Sequence, residues 1–255
     1  MYARHLPIHL VRALAPPRLA AGVFVTRALL SAACSESASS ITSPGLRSRS
    51  SDVSSTAAPT FAVLGNAAVT CTDGNITGNV GTFLVSPIGS VTRTTCPITG
   101  AVQVGDEAAQ QAFNNFLSTY AAIAPKLGDV CTSLTGTLAG VTLAPGAYCF
   151  NVAATVTGVL TLDGPSDGIW TFNIGAGGTG ALTGTNFSVA MAGGGQACNV
   201  TWWVADAATM TTSNLKGKLL SGAAITMTGG TFSGNASSKA DATVTGTVVT
   251  SCDGN

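Results

Sequence analysis

Ala154-Thr-Val-Thr-Gly158, Gly180-Ala-Leu-Thr-Gly184, Ala208-Thr-Met-Thr-Thr212, Ile225-Thr-Met-Thr-Gly229 and Ala242-Thr-Val-Thr-Gly246 are one short phrase repeated five times. Each is Thr-x-Thr or a near miss, closed by Gly or Thr, and the phrases recur every 17 to 28 residues. In a strand, residues i and i+2 share a face, so both threonines of a phrase point one way and the Val or Met between them points the other. A β phrase at a repeating interval with Gly at its corners predicts a β-solenoid. Stacked coils would turn the phrases into a flat ladder of threonines with about 4.8 Å from strand to strand. The residues expected on that face are Thr155, Thr157, Thr183, Thr209, Thr211, Thr226, Thr228, Thr243 and Thr245.

The chain around this stretch divides near residue 60. Residues 1–60 hold six Arg, two acids and both histidines, whereas residues 61–255 hold five Lys or Arg, nine acids, 31 Thr and 29 Gly. The zero net charge of the whole chain therefore averages two unlike segments. The second segment is long enough for one domain with a full core. Its charge is too low and too acidic for a nucleic-acid footprint. Sparse charge with abundant Thr, Gly and Ala predicts a neutral surface of methyls and hydroxyls.

Residues 1–34 have the shape of an export leader: a basic start, an apolar run from Leu19 to Leu30 interrupted by Arg27, and Ser31-Ala-Ala-Cys34. Cys34 after small residues matches a lipoprotein cleavage site, where a lipidated cysteine would anchor the chain to a membrane. An ordinary signal peptide with an incidental cysteine is the alternative. The run is too short for a spanning helix. Residues 35–60, rich in Ser, Ala, Thr and Pro, read as a disordered tether. The expected location is outside the cell or on its envelope.

From Phe61 onward the pattern is mostly short strands, with turn chemistry at Asp73-Gly74 and Ser86-Pro-Ile-Gly89. One segment departs from it. Ala109, Ala112, Phe113, Phe116, Leu117, Tyr120 and Ile123 fall at helical spacing, so a helix is expected over about 104–125, with Asp106 and Glu107 near its start. Its apolar face needs a partner, and a flank of the solenoid is the expected one. Setting Cys34 aside leaves Cys71, Cys96, Cys131, Cys149, Cys198 and Cys252. An even count in an exported chain predicts disulfides. Sequence neighbourhood favours 71–96, 131–149 and 198–252 among the fifteen pairings that six cysteines allow.

Residues 61–255 contain no histidine, which removes Ser-His-Asp, Cys-His and His-metal chemistry from that segment. Asp163-Gly-Pro-Ser-Asp167 reads as a solvated turn more readily than as a Ca²⁺ loop. Carboxylate pairs for glycoside chemistry are few and fall at turns, leaving a polysaccharide-active β-helix enzyme as the weakest reading. No catalytic residue, metal site or cofactor is expected.

Phe61-Ala-Val-Leu-Gly65, Ile76-Thr-Gly-Asn-Val-Gly81, Ser86-Pro-Ile-Gly-Ser-Val-Thr92, the Ala-Gln-Gln-Ala helix, Leu138-Ala-Gly-Val-Thr-Leu-Ala-Pro-Gly-Ala-Tyr148, Leu160-Thr-Leu-Asp-Gly164, Cys198-Asn-Val-Thr-Trp-Trp-Val204 and Leu215-Lys-Gly-Lys-Leu-Leu220 together resemble the microbial ice-binding protein family, in order, over roughly residues 58–252. The chain departs at Gly234-Asn-Ala-Ser-Ser-Lys-Ala240, where the family often has Gly-Arg-Ala-Leu-Ala. The resemblance implies a right-handed, discontinuous parallel β-solenoid of triangular section, with one long helix along a side and the N-terminal strands stacked beside the last coil. It implies an antifreeze protein whose partner is the ice surface, giving thermal hysteresis and recrystallisation inhibition, and a monomer is expected. A surface adhesin or scaffold module without ice affinity is the rival reading, since the tether and leader suit it equally.

Overall fold

Alternation of small apolar residues with threonine makes strands of period two, and the chain winds these into a parallel stack. The computed structural model describes residues 59–126 and 128–252; the expected leader, Cys34 and nearly all of the tether lie outside the described residues. In chain order the strands are β1 (Phe61–Gly65), β2 (Ala68–Thr72), β3 (Asn75–Thr77), β4 (Asn79–Thr82), β5 (Ser90–Thr94) and β6 (Val102–Val104). Helix α1 (Glu107–Ala122) follows, then β7 (Thr132–Ser133), β8 (Val141–Leu143), β9 (Gly146–Phe150), β10 (Ala154–Asp163), β11 (Trp170–Ile174) and β12 (Leu182–Ala192). The chain ends with β13 (Val200–Val204), β14 (Ala208–Ser221), β15 (Ile225–Ser238), β16 (Ala242–Thr245) and β17 (Val248–Thr250).

The pairings sort these strands onto three sides. The first side runs through the starts of β10, β12, β14 and β15, then β16, β2 and β5. The second runs through β8, the ends of β10 and β12, the middles of β14 and β15, then β17 and β3. The third runs through β9, β11, β13, the ends of β14 and β15, β1, β4 and β6. All of these pairings are parallel, and the N-terminal strands stack on the last coil, as the family resemblance implies.

The passage from first to second side is made by one residue per coil with a left-handed backbone: Leu138, Gly158, Asn186, Thr212, Gly229, Gly246, Asp73 and Thr95, with φ between 48° and 69°. Gly adopts that region freely and Asn or Asp tolerates it, whereas a β-branched residue is strained there. Thr212→Asn is therefore expected to raise stability by about 0.5–1 kcal/mol, a fraction of the left-handed penalty, read as a shift of the denaturation midpoint.

The interior is filled by inward columns of side chains. On the third side Tyr148, Phe172 and Trp202 stack in succession, with ring centroids 5.5 and 4.0 Å apart, and Phe187 meets Trp202 edge-on. The indole N–H of Trp202 donates to Lys216 O at 2.9 Å, so its one polar atom is satisfied. The outward face of this side carries Leu64, Trp203 and Leu220, which α1 covers with Ala109, Phe113, Phe116 and Tyr120. Gly105, with φ at +62°, and the Asp106 carboxylate, accepting from Ala109 N–H at 2.8 Å, start the helix later than the expected residue 104. Tyr120 donates to Val204 O at 3.0 Å and its carbonyl accepts from Trp203 Nε1 at 3.0 Å. Burial, with the negative charge of Asp206, pushes the Tyr120 hydroxyl up to about 12.

Three disulfides close the stack: Cys71–Cys96, Cys131–Cys149 and Cys198–Cys252. They are the pairings that sequence neighbourhood favours. The last closes a separation of 54 residues, for which chain entropy gives about 4 kcal/mol.

Candidate functional site

Seven coils contribute the same five-residue unit to the first side. The units are Ala153-Ala-Thr-Val-Thr157, Ala181-Leu-Thr-Gly-Thr185, Ala207-Ala-Thr-Met-Thr211, Ala224-Ile-Thr-Met-Thr228, Asp241-Ala-Thr-Val-Thr245, Ala68-Val-Thr-Cys-Thr72 and Ser90-Val-Thr-Arg-Thr94. Positions one, three and five face outward, so each row presents two threonines after a small residue, or after Asp241 in one row.

The register is continuous. Thr155, Thr183, Thr209, Thr226, Thr243, Thr70 and Thr92 are successive partners in one column. Thr185, Thr211, Thr228, Thr245, Thr72 and Thr94 are successive partners in a second. Thr157 stands at the head of that second column, beside a register shift between Val156 and Gly158. Strand spacing makes the first column about 29 Å long and separates the two columns by about 6.7 Å. Beneath the threonines, Val156, Met210, Met227, Val244 and Cys71 are buried and fix the strands to the core. Gly184 shares this inward column, and Met210 fills the space it leaves: a Cβ on Gly184 would collide with the Met210 side chain.

None of these fourteen threonine hydroxyls has a hydrogen-bond partner among the described residues, although other hydroxyls of the molecule do. Ser213 and Thr247 at the corners turn their hydroxyls back to Thr211 O and Thr245 O. The second side differs. There Asn214 Nδ2 donates to Ser188 Oγ at 3.1 Å and Thr231 Oγ1 to Asn214 Oδ1 at 2.9 Å, and Val159 and Val248 share the surface. The third side lies under α1. Charge on the first side is confined to its margins: Arg93 in the terminal row, Asp73 at a corner, and Asp206 and Asp241 where the chain enters.

The structure thus brings all nine sequence-expected threonines onto one side and adds Thr185, Thr70, Thr72, Thr92 and Thr94. Thr185 was hidden because Gly184 reads as a corner, whereas the corner residue is Asn186. The other four lie before the helix in sequence and rejoin the ladder beyond Thr243 and Thr245. The signal for them was the five-residue unit itself, masked by Cys71 and Arg93 at its fourth position. Among the described residues no cluster of His, Cys, Asp or Glu is placed to hold a metal, and no helix is long and apolar enough to cross a membrane.

Residues 51–250 match the family described as Ice-binding-like. A search of curated proteins gives no match. Among solved structures, an ice-binding protein from the Antarctic ascomycete Antarctomyces psychrotrophicus is 30% identical with a TM-score of 0.68, over 76% of this chain and 95% of that one. An ice-binding protein from an Antarctic bacterium of the Flavobacteriaceae is 32% identical with a TM-score of 0.65, over 76% of this chain and 47% of that one. A glycosylated ice-binding protein from an Arctic yeast, 23% identical with a TM-score of 0.67 over 75% and 90%, shares the fold. With the family profile spanning most of its length, this chain belongs to the ice-binding-like family.

Proposed function

We propose that the chain is an antifreeze protein that adsorbs to ice through the first side of the solenoid. The observation that carries this is the ladder of fourteen threonines, thirteen of them paired in register, whose hydroxyls have no protein partner among the described residues. Ice offers neither charge nor a pocket, so recognition needs a regular match over an area. Parallel pairing sets one repeat of that match and strand geometry sets the other. Thr is stiff at χ1, so little side-chain entropy is lost on docking. Its methyl orders neighbouring water and its hydroxyl hydrogen-bonds it. Adsorbed protein would stop growth of the covered surface, giving thermal hysteresis and inhibiting recrystallisation.

The chain is further read as a monomer, secreted or held on the cell envelope through Cys34, and as having no enzymatic role. Secretion or anchoring is read from the leader, the non-enzymatic role from the absence of histidine from residues 61–255, and the monomer from the family resemblance. Partitioning purified protein between a slowly growing ice crystal and the remaining liquid tests the function. Enrichment in the crystal is expected; exclusion from it, with the protein folded, would overturn the proposal.

A further inference from the structure

The threonine ladder is crossed by a seam. Thr243 and Thr245 are partnered by Thr70 and Thr72, which are neighbours in space only because the two ends of the solenoid meet there. Five rows come from the C-terminal part of the chain and two from the N-terminal part. On this side no consecutive turn of chain links the two groups.

Asp241 stands at that seam. It occupies the small-residue column, which elsewhere holds Ala153, Ala181, Ala207, Ala224, Ala68 and Ser90. Its Oδ1 accepts a hydrogen bond from Ala68 N–H at 2.9 Å, 173 residues away. Its own peptide is held from beneath by the buried Ser238 hydroxyl, which donates to Ala240 O and Asp241 O at 2.9 and 3.2 Å. Ala240 O also accepts from Asn66 N–H at 2.8 Å. A carboxylate is the group that an uncharged, lattice-matching surface excludes, yet one sits on its flank at this row. There it satisfies a backbone N–H of the row across the seam.

We propose that Asp241 is a positioning residue for the ice-contacting face, holding the rows of Thr70/Thr72 and Thr92/Thr94 in register with the five rows beyond the seam. This rests on the function proposed above. The bond acts by geometry, so the acceptor oxygen matters and the charge does not.

The test compares four variants of the intact, oxidised protein by thermal hysteresis just below 0 °C, with circular dichroism to establish folding and exchange of the Ala68 amide to report the bond. Thr226→Tyr blocks the centre of the face and Thr70→Tyr blocks the N-terminal rows directly. Asp241→Ala is expected to lose as much hysteresis as Thr70→Tyr, with faster exchange at Ala68. Asp241→Asn keeps an acceptor oxygen and is expected to retain wild-type hysteresis and slow exchange. Wild-type hysteresis in Asp241→Ala, or an equal loss in Asp241→Asn, would overturn the positioning role. Undiminished hysteresis in Thr226→Tyr would instead overturn the face itself, so the two failures are distinguishable. Should Asp241→Ala not fold, the near-isosteric Asp241→Leu, which also lacks an acceptor oxygen, takes its place: lost hysteresis with faster exchange at Ala68 is expected, and wild-type hysteresis would overturn the positioning role.

Discussion

Thr226→Tyr is expected to remove thermal hysteresis and leave the fold intact. Thr226 lies in the fourth of seven rows, between Thr209 and Thr243 in its column and beside Thr228 in its strand. A tyrosine there projects beyond the neighbouring methyls and lifts a rigid, flat surface away from the crystal. The surface cannot bend around the ring, because its inward neighbours Ile225 and Met227 are buried in the core. Tyrosine is well tolerated in strands, and a substitution at a surface position away from special features shifts stability by about 0.5 kcal/mol or less. Hysteresis should therefore vanish while circular dichroism and the melting midpoint stay close to wild type. Thr231→Tyr, on the second side, is the matched control and should keep its activity. Activity lost in the control and kept in Thr226→Tyr would assign the contact surface to the second side.

The largest effect on stability is expected at Trp202. Trp202→Ala removes the end of the Tyr148–Phe172–Trp202 stack, leaves Phe187 without its edge-on partner, and takes away the indole donor to Lys216 O. Truncation of a buried tryptophan costs about 3–5 kcal/mol, and at this domain size each kcal/mol moves the melting midpoint by roughly 2–4 °C. Thermal or urea denaturation of the oxidised protein measures it. A midpoint unchanged from wild type would mean that the aromatic stack is dispensable. The neighbouring residue plays a different part: Trp203 points outward and meets α1 through Tyr120, so its loss should loosen the helix before the coil.

How far the sequence could be read follows from which residues carry a periodic signal. Thr-x-Thr repeats at a strand's period, so the coil and its hydroxyl face were legible from Thr209, Thr226 and Thr243 alone. Phe113, Phe116 and Tyr120 repeat at a helix's period, which exposed α1. What stayed hidden were features set by contacts between distant parts of the chain. Thr70 and Thr92 belong to the ladder only because β2 stacks on β16, and nothing local to residues 68–94 announces that neighbour. The left-handed corners were half visible. Gly158, Gly229 and Gly246 mark them by composition, whereas Leu138, Thr95 and Thr212 adopt the same backbone against their own preference and leave no mark.

The meeting of β16 with β2 also orders events in time. During synthesis the N-terminal strands emerge well before residues 242–250, which supply the surface they lack. A pairing between such distant segments must meet its loop-closure cost before its contacts reward it, which makes it slow to form. Until then β2 and β3 each lack the neighbour that β16 and β17 supply. The two groups of rows become one surface only when this pairing forms, so loss of β16 would cost the join between them as well as its own row.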